Sequence, residues 1–446
     1  MLLIFAPGAK PLFRCRRASP LSIYFFSEAE KRMNHQYVQS GTGDRKETPQ
    51  GARVAYSRKL ESCLSLDDFE LAAKRHLPTP FYQYVSGGTE TNQSLRSNRS
   101  VFSDFELVPR FMVGVDNVDT SVDLLGHRYS LPFGIAPMGV AALWAYRGDT
   151  VLASAAAVEN IPMMLSGASL IPLEDVRQAN QRAWFQMFFP SEDAGIVALP
   201  ERVRAAGYET LVITVDCPVN GNRENNARAG FSTPVRPSLR LAWQGITHPR
   251  WTAGTFLRTL FTHGMPHFEN NHAHRGVPIF SASAQRDLSA AAHADWRQVK
   301  LVRELWKGKL IIKGLLDPRD AAMAAACGAD GVVVSNHGGR QLDGAAAPLR
   351  VLPGIVAACP GIPVMLDSGV RRGTDVIKAL ALGAKFVFVG RPFAYAASVG
   401  GREGVLRAIQ LLKEEVQRDM ALAGRRSVGD IDKSVLYPLR GYSHQV

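Results

Sequence analysis

The chain has 446 residues, 46% of them hydrophobic, and a formal net charge of +12 at pH 7. This length and composition suit one large core or two domains, and ordinary numbers of glycine (39) and proline (26) exclude global disorder. The positive excess is confined to residues 1–59 and 225–268, and no helicase, zinc-finger or RNA-binding motif occurs, so no nucleic-acid partner is expected.

The five cysteines are an odd number and are not spaced as metal ligands or as a disulfide framework. They indicate a reducing compartment, so we predict a cytoplasmic protein without a bound metal. No apolar run of 18 residues occurs, and no segment is therefore expected to span a bilayer.

Residues 1–59 are predicted to lie outside the folded body. They contain 11 Lys and Arg against 4 Asp and Glu. The short apolar run at residues 1–6 precedes the basic cluster, which is the reverse of a secretory signal. Three interpretations stay open: an organelle-targeting segment, a disordered extension, and an upstream start codon with Met33 as the true beginning.

The folded body is predicted to cover residues 60–435 and to leave 436–446 as a C-terminal tail. It opens on a helix, because Ser65 and Asp68 resemble a capping box and the apolar residues that follow have helical spacing. Pro78 and Pro80 are expected to end this helix.

Eight short apolar runs come next, and each is followed by a helix-compatible stretch. The pattern predicts an α/β fold: a TIM (β/α)8 barrel with an N-terminal helical segment and a long insertion after the fourth strand. Polar or special residues collect at the carboxyl end of each run, where barrels of this kind place their active sites. The predicted strands are 133–137, 162–166, 184–188, 211–215, 310–313, 331–335, 363–367 and 385–389.

The insertion, residues 225–290, is too long for an ordinary loop between a strand and a helix. From Phe231 to Phe261 it mixes aromatic and aliphatic residues with arginine and contains no acid. Two interpretations stay open. The segment is either an interfacial contact with an anionic membrane, on the inner face of the cell membrane, or a lid or subunit contact.

The sixth predicted strand leads into the stretch with the most chemistry. Ser335, His337 and Arg340 follow it around two glycines, which places a base and a planar cation beside one cleft. Arg371 and Arg391 stand near glycines just after the last two strands. Backbone amides and guanidinium groups at those positions predict a phosphate site.

The motifs Ser-Asn-His-Gly-Gly-Arg-Gln-Leu-Asp (335–343) and Leu-Asp-Ser-Gly-Val-Arg-Arg-Gly-Thr-Asp (366–375) resemble the FMN-dependent α-hydroxy acid dehydrogenase and oxidase family. The resemblance covers roughly residues 65–435. It implies FMN as cofactor, oxidation of a lactate-like or mandelate-like L-2-hydroxy acid, quinone or another electron acceptor, and a homotetramer. Oxidation by O2 and a different FMN reaction, such as an isomerisation, stay open as alternatives.

The resemblance also assigns residues. His337 is the implied general base, Asp216 orients it, and Lys313 lies beside the flavin. The implied substrate site consists of Tyr84, Arg223, Arg340, Phe188 and Ala168. The implied cofactor site consists of Pro137, Met138, Gly139, Ser166, Gln186, Thr214, Lys313, Ser335, Asp367, Gly369, Arg371, Gly390 and Arg391.

Three positions bear on the substrate and the acceptor. Phe188 stands where the family usually has a tyrosine that reaches the substrate hydroxyl, and it cannot donate that hydrogen bond. Ala168 replaces the tryptophan of glycolate oxidases, which suggests room for a larger substrate side chain. Gly139 is the residue that dehydrogenases tend to have where oxidases have alanine, and residues 142–144 and 219–224 resemble the mandelate dehydrogenase branch.

Overall fold

The computed structural model describes residues 56–190, 193–232, 235–281, 292 and 294–438. Residues 1–55 of the predicted extension and 439–446 of the predicted tail lie outside these ranges, as does the part of the insertion from 282 to 290. The described chain begins with four helices: α1 (Arg58–Glu61), α2 (Leu66–His76), α3 (Thr79–Ser86) and α4 (Gln93–Ser100).

The predicted start of the first long helix is confirmed. The Ser65 amide donates to Asp68 Oδ2 at 2.9 Å, which completes the capping box of α2. α2 ends before Pro78, and α3 starts immediately afterwards with Pro80 in its first turn, where the missing N–H costs nothing. The predicted boundary at residue 60 falls inside α1, whose Leu60 is buried.

Three short strands precede the barrel: β1 (Phe105–Leu107), β2 (Val122–Leu124) and β3 (His127–Tyr129). β2 and β3 pair as an antiparallel hairpin. Tyr129 of this hairpin is buried against Phe386 and Trp184, which are the first residues of two barrel strands. The hairpin therefore lies at the amino-terminal end of the barrel.

The eight predicted strands are confirmed as a parallel sheet in which each strand contacts its neighbours in chain order. A bridge between Ile135 and Met163 joins the first strand to the second and brings the ends of the sheet together. The barrel is therefore the predicted (β/α)8 fold. Its strands are β4 (Phe133–Ile135), β5 (Met164–Ser166), β6 (Trp184–Met187), β7 (Thr210–Thr214), β8 (Lys309–Leu315), β9 (Gly331–Val334), β10 (Val364–Leu366) and β11 (Phe386–Val389).

Helices surround this sheet, and alternate strand residues point inward or outward to form two cores. The inner core fills the barrel, whereas the outer core packs the strands against the helices. The outer helices are α5 (Gly148–Val158), α6 (Leu173–Ala179), α7 (Asp193–Ala205), α12 (Trp296–Leu305), α13 (Pro318–Ala326), α14 (Pro348–Ala358), α15 (Gly373–Ala381) and α16 (Arg391–Leu422).

The described part of the insertion is largely helical. It contains α8 (Glu224–Ala229), α9 (Leu239–Thr247), α10 (Pro249–Trp251), a π-helical turn (252–257) and α11 (Arg258–His263). The buried Trp251 attaches it to the barrel by donating from Nε1 to the Leu143 carbonyl at 2.9 Å. None of the helices in the described ranges has the length and apolar content that crossing a bilayer requires.

The predicted C-terminal tail needs a correction at its start. Leu436–Pro438 forms β12, which pairs antiparallel with β1 across more than 300 residues of sequence. The preceding Val435 is fully buried, and its carbonyl accepts from the Val108 amide at 2.8 Å. The end of the described chain is thus part of the folded body.

Candidate active site

A cleft opens at the carboxyl ends of the barrel strands, as predicted. The space among its lining residues, together with the open solvent that it includes, amounts to about 1050 Å³. Most of the predicted site residues line it: Tyr84, Pro137, Met138, Gly139, Ser166, Gln186, Phe188, Thr214, Arg223, Lys313, His337, Arg340, Asp367, Gly369, Arg371, Gly390 and Arg391.

Three predicted residues lie behind the wall of the cleft. Asp216 and Ser335 support groups that face the cleft, as described below. Ala168 is buried, its amide donates to Ser166 Oγ at 3.2 Å, and its carbonyl accepts from the Val140 amide at 2.9 Å. The structure therefore does not place Ala168 among the residues that line the cleft, and the room expected from its small side chain stays a prediction.

His337 and Asp216 form a pair across two strand ends. Nδ1 of His337 lies 2.9 Å from Asp216 Oδ1, and the His337 amide donates to Ser335 Oγ at 3.0 Å. The backbone of His337 is left-handed, with φ of +57°, which is unusual for a residue with a side chain and typical of functional sites. With Nδ1 directed at Asp216, Nε2 is the nitrogen left for a reacting molecule.

The ionisation of this pair suits a general base. Burial lowers the pKa of His337 below its usual value even though the Asp216 carboxylate raises it. The imidazole is therefore neutral near pH 7 and can accept a proton. Burial alone would raise the pKa of Asp216, but His337 and Lys313 lower it, so the carboxylate stays charged.

Lys313 places a buried positive charge near His337, because its Nζ and the His337 amide both donate to Ser335 Oγ. Its Nζ lies 3.0 Å from Asp367 Oδ2 and donates to Ser335 Oγ at 2.8 Å. Burial alone would lower the pKa of Lys313, but the carboxylates of Asp367 and Asp216 raise it above its usual value. The ammonium is therefore available to stabilise negative charge that develops in the cleft.

Two buried arginines mark the predicted phosphate corner. Arg391 donates to the carbonyls of Val85, Gly87 and Gly338 at 2.9 Å, and within the described residues it forms no ion pair. Burial lowers the pKa of Arg391 to about 10 and also lowers that of Arg371. Arg371 Nε lies 3.8 Å from Asp67 Oδ1, a long ion pair. A buried guanidinium such as that of Arg391, without a carboxylate partner, fits a site for a phosphate dianion.

The rest of the cleft also fits FMN. Gln186 Nε2 and Thr214 Oγ1 are buried atoms of the cleft wall that have no hydrogen-bond partner among the described residues. Such atoms need a polar ligand, and the edge of an isoalloxazine ring provides donors and acceptors for them. Gly369, with φ of +95°, lies so close to Asn98 that a Cβ would stand 1.9 Å from its carbonyl oxygen, so only glycine fits this turn.

Three of the predicted substrate residues, Tyr84, Arg223 and Arg340, line the same cleft. Nη1 of Arg340 donates to the carbonyls of Tyr84 and Gly87, and its guanidinium carbon lies 4.8 Å from the centre of the Tyr84 ring. Arg223 donates from Nη2 to Gln341 Oε1 at 2.9 Å. The structure thus orients both guanidinium groups through neighbouring side chains and backbone, which prepares them to hold an anion.

Phe188 packs beside the base. Its ring centre lies 6.5 Å from that of His337, with 27° between the ring planes. The side chain is half-buried and lines the cleft. At the position where the family usually has a tyrosine, an aromatic ring without a hydroxyl therefore lines the cleft.

Cys217 and Ser368 are among the residues of the cleft that were not predicted from the sequence. Cys217 lines the cleft with its Sγ 3.6 Å from His337 Nδ1. Ser368 has φ of +79°, accepts from the Gly338 amide at 3.0 Å and donates to Asp367 Oδ1 at 2.8 Å. Each directly follows a predicted site aspartate at a strand end. This adjacency is the feature of the sequence from which both residues could have been predicted.

Comparison with known proteins identifies the relatives of this chain. The FMN-dependent dehydrogenase family matches residues 73–438. An L-lactate dehydrogenase of Ectopseudomonas mendocina (strain ymp) is 40% identical over 374 residues, which cover 83% of this chain and 97% of that protein. An L-lactate dehydrogenase of Xanthomonas axonopodis pv. citri (strain 306) is 39% identical over 378 residues, covering 83% of this chain and 95% of the relative.

Solved structures give the same result. The monotopic membrane protein (S)-mandelate dehydrogenase superposes with a TM-score of 0.76 at 36% identity, covering 84% of this chain and 99% of the other. A mandelate oxidase with (S)-2-phenylpropionate superposes with a TM-score of 0.69 at 33% identity, covering 84% and 98%. The resemblance drawn from the motifs is confirmed, and this chain belongs to the FMN-dependent α-hydroxy acid dehydrogenase family, with FMN as its cofactor.

Proposed function

We propose that this chain oxidises an L-2-hydroxy acid of the lactate or mandelate type to the 2-oxo acid. The observation that carries the proposal is the neutral His337, paired with a charged Asp216, in a cleft that also presents Arg223 and Arg340. A base beside two oriented guanidinium groups suits a substrate that has both a carboxylate and an acidic hydrogen.

The roles of the residues follow from chemistry. Arg340 and Arg223 hold the substrate carboxylate, and the Tyr84 hydroxyl adds a hydrogen bond to it. Two hydrogens must leave the substrate, from Cα and from the hydroxyl, and Nε2 of His337 takes the one that leaves as a proton. Asp216 then stabilises the imidazolium through its contact with Nδ1.

The remaining residues serve the cofactor. Arg371, Arg391, Gly369 and Gly390 would hold the phosphate of FMN. The ring and ribityl chain would be held by Pro137, Met138, Gly139, Ser166, Gln186, Thr214, Lys313, Ser335 and Asp367. FMN supplies the two-electron acceptor that no side chain provides. Lys313 places a positive charge where negative charge develops during the reaction.

The test is a reduction experiment. The purified protein should be yellow, and anaerobic mixing with lactate, glycolate or mandelate should bleach it, with the fastest acid identifying the substrate. Colour without bleaching by any 2-hydroxy acid would contradict the proposal and favour an isomerase-like FMN enzyme. The homotetramer expected from the resemblance stays a prediction, and analytical sedimentation of the same sample measures it.

We also propose that the insertion contacts an anionic membrane, so that quinone is the electron acceptor. Leu239, Trp243 and Ile246 lie at positions i, i+4 and i+7 of α9 and so share one face. They are 92%, 62% and 70% exposed, and α9 has no buried residue. An amphipathic helix with its apolar face in solvent is typical of interfacial membrane segments.

A basic surface adjoins this helix and supports the choice of an anionic bilayer. An open cleft beyond the end of α9 is lined by Lys59, Arg75 and Arg250, together with two histidines. None of these three cations forms an ion pair within the described residues. The acid of the same cleft, Asp68, already accepts from the backbone at the start of α2. Unpaired cations beside an apolar face suit phosphate headgroups.

The measurement that tests the acceptor is reoxidation. After anaerobic bleaching, a quinone in anionic liposomes should restore the colour faster than dissolved O2 does. Faster reoxidation by O2 would identify an oxidase and contradict the quinone proposal. Failure of the intact protein to sediment with anionic liposomes at low salt would instead assign the insertion to a lid or subunit contact.

A further inference from the structure

A cysteine completes a three-donor cluster at the base. Asp216 and Cys217 follow β7, and His337 follows β9. Only β8 lies between these two strands, so the three residues lie at the same side of the barrel. Sγ of Cys217 lies 3.4 Å from Asp216 Oδ1 and 3.6 Å from His337 Nδ1. The third side of the triangle, from Nδ1 to Oδ1, is 2.9 Å.

These distances are close to those between the ligands of a tetrahedral zinc ion. Zinc binds sulfur at about 2.3 Å and nitrogen or oxygen at about 2.0–2.2 Å, which places tetrahedral ligand atoms about 3.3–3.6 Å apart. The two distances to sulfur already fall in or near that range. Only the contact between nitrogen and oxygen has to lengthen, by a few tenths of an ångström.

A second observation points to a ligand at this cluster. Oδ2 of Asp216 is a buried carboxylate oxygen without a hydrogen-bond partner among the described residues. It is not one of the three donor atoms whose distances are given above, but a cation bound to the same carboxylate would offset the cost of burying this second oxygen. Cys217 and His337 line the cleft, so a cation that enters the cleft reaches them directly.

We propose that Asp216, Cys217 and His337 form an inhibitory site for a thiophilic divalent cation such as Zn²⁺. A thiolate, an imidazole and a carboxylate are donors that zinc prefers, whereas Mg²⁺ and Ca²⁺ prefer oxygen ligands alone. Binding releases one proton, from the thiol of Cys217, to solvent. The neutral imidazole of His337 exchanges its Nδ1 proton for one on Nε2, so that Nδ1 can bind the cation with no further change in charge.

The inhibition rests on the proposed function, because it requires His337 to be the base. A cation on Nδ1 removes the hydrogen bond to Asp216 that would stabilise the imidazolium. It also places positive charge beside a ring that must become positive during turnover. The base therefore cannot accept a proton while the cation is bound.

The experiment uses the yellow FMN-bound protein after chelator treatment. Added Zn²⁺ should inhibit oxidation of the 2-hydroxy acid, an equal concentration of Mg²⁺ should not, and excess chelator should restore activity. Cys217→Ser should weaken inhibition by about 100-fold or more, because the strongest donor is lost. The matched control is Cys359→Ser, a buried cysteine at the end of α14, which should be inhibited like the parent.

Cobalt provides a readout that does not depend on turnover. Co²⁺ bound to a thiolate in a tetrahedral site should give absorption bands in the red, where oxidised FMN does not absorb, and Cys217→Ser should abolish them. FMN content measured on each variant verifies that it is folded, and Cys217→Ala repeats the test if the serine variant loses FMN.

Equal inhibition of Cys217→Ser and the parent, or the absence of cobalt bands from the parent, would overturn the site. A protein that shows the cobalt bands but oxidises no 2-hydroxy acid keeps the metal site and refutes the proposed function. The two ideas therefore fail separately.

Discussion

The cleft and the insertion use the same kinds of residue in opposite ways. In the barrel, Val332, Val333 and Val334 are fully buried, and Arg391 is held by three backbone carbonyls. In the insertion, Leu239 is 92% exposed, and Arg250 lines an open cleft. The strand valines are thus shielded from water, whereas Leu239 is exposed to it. Arg391 is fixed by hydrogen bonds to the backbone, whereas Arg250 forms no ion pair within the described residues.

This difference in exposure indicates what kind of partner the barrel cleft and the insertion each fit. Burying the barrel valines stabilises the fold itself, by roughly 1.5–3 kcal/mol for each fully buried side chain. The exposed face of α9 contributes no such energy to this chain. An apolar face that the fold leaves in water is best explained by a partner that covers it, whereas the buried cations of the cleft are explained by an anionic cofactor and substrate.

The largest effect is expected at the base of the cleft. His337→Gln should retain FMN but slow its reduction by more than about 10³-fold, because the glutamine amide cannot accept a proton. Anaerobic stopped-flow bleaching measures the rate. His127→Gln, a histidine whose ring pairs with Glu209 outside the cleft, should behave like the parent. Substantial bleaching by His337→Gln would remove His337 from its assigned role.

The insertion gives the next largest effect, on binding to membranes rather than on chemistry. Replacing Leu239, Trp243 and Ile246 together by serine should weaken sedimentation with anionic liposomes roughly 100-fold, since each side chain contributes about 1 kcal/mol when half of it is buried. Bleaching by substrate should not change. The control replaces Phe111 and Leu422, two exposed apolar residues outside the insertion, by serine. If both variants sediment like the parent, the comparison between the two regions is wrong.

Arg340→Lys tests the ordered cations of the cleft. Lysine lacks the planar fork that contacts the Tyr84 and Gly87 carbonyls and, as proposed, the substrate carboxylate. KM for the 2-hydroxy acid should rise about 10–100-fold, corresponding to a lost charge-assisted contact of about 1.5–3 kcal/mol. The flavin spectrum should be unchanged, whereas loss of FMN would place Arg340 in the cofactor site. Arg350→Lys, at an exposed ion pair, is the matched control.

The pH dependence of the reaction tests whether burial lowers the pKa of His337. The base must be neutral, and burial lowers the pKa of His337. The value of kcat/KM should therefore persist as the pH falls through 6.5, the usual histidine value, and decline about tenfold per unit only below the lowered pKa. An acid limb centred above pH 6.5 would contradict the burial argument.

The sequence predicted the parts of this molecule that follow a regular pattern. The eight barrel strands are continuous apolar runs, and each ends in polar or special residues. The apolar runs therefore predicted the fold, and the residues at their carboxyl ends predicted the rim of the cleft. The pairing of β12 with β1 could not, because three-residue strands have no period and their partners are separated by most of the chain.

Side-chain direction at the strand ends was the other limit. Ala168 and Cys217 both follow strands, yet Cys217 lines the cleft whereas Ala168 is buried and does not line it. The difference depends on the local turn, because the Ala168 amide donates to Ser166 Oγ and the Ala168 carbonyl accepts from the Val140 amide. A motif gives the order of residues along such a turn but not the direction in which each Cβ points.

The smallest effect concerns Phe188, where this chain departs from its family. The ring already faces the cleft beside His337, so Phe188→Tyr adds a hydroxyl without new packing. A neutral hydrogen bond contributes about 0.5–1.5 kcal/mol, and kcat for a small acid such as lactate should rise by about 2–10-fold if the hydroxyl reaches the substrate. The matched control is Phe189→Tyr, because Phe189 belongs to the outer core and its hydroxyl would be buried away from the cleft. A fall in kcat for Phe188→Tyr with every acid would mean that the ring packs against an apolar group of the bound substrate, and the phenylalanine would then select for a mandelate-like side chain.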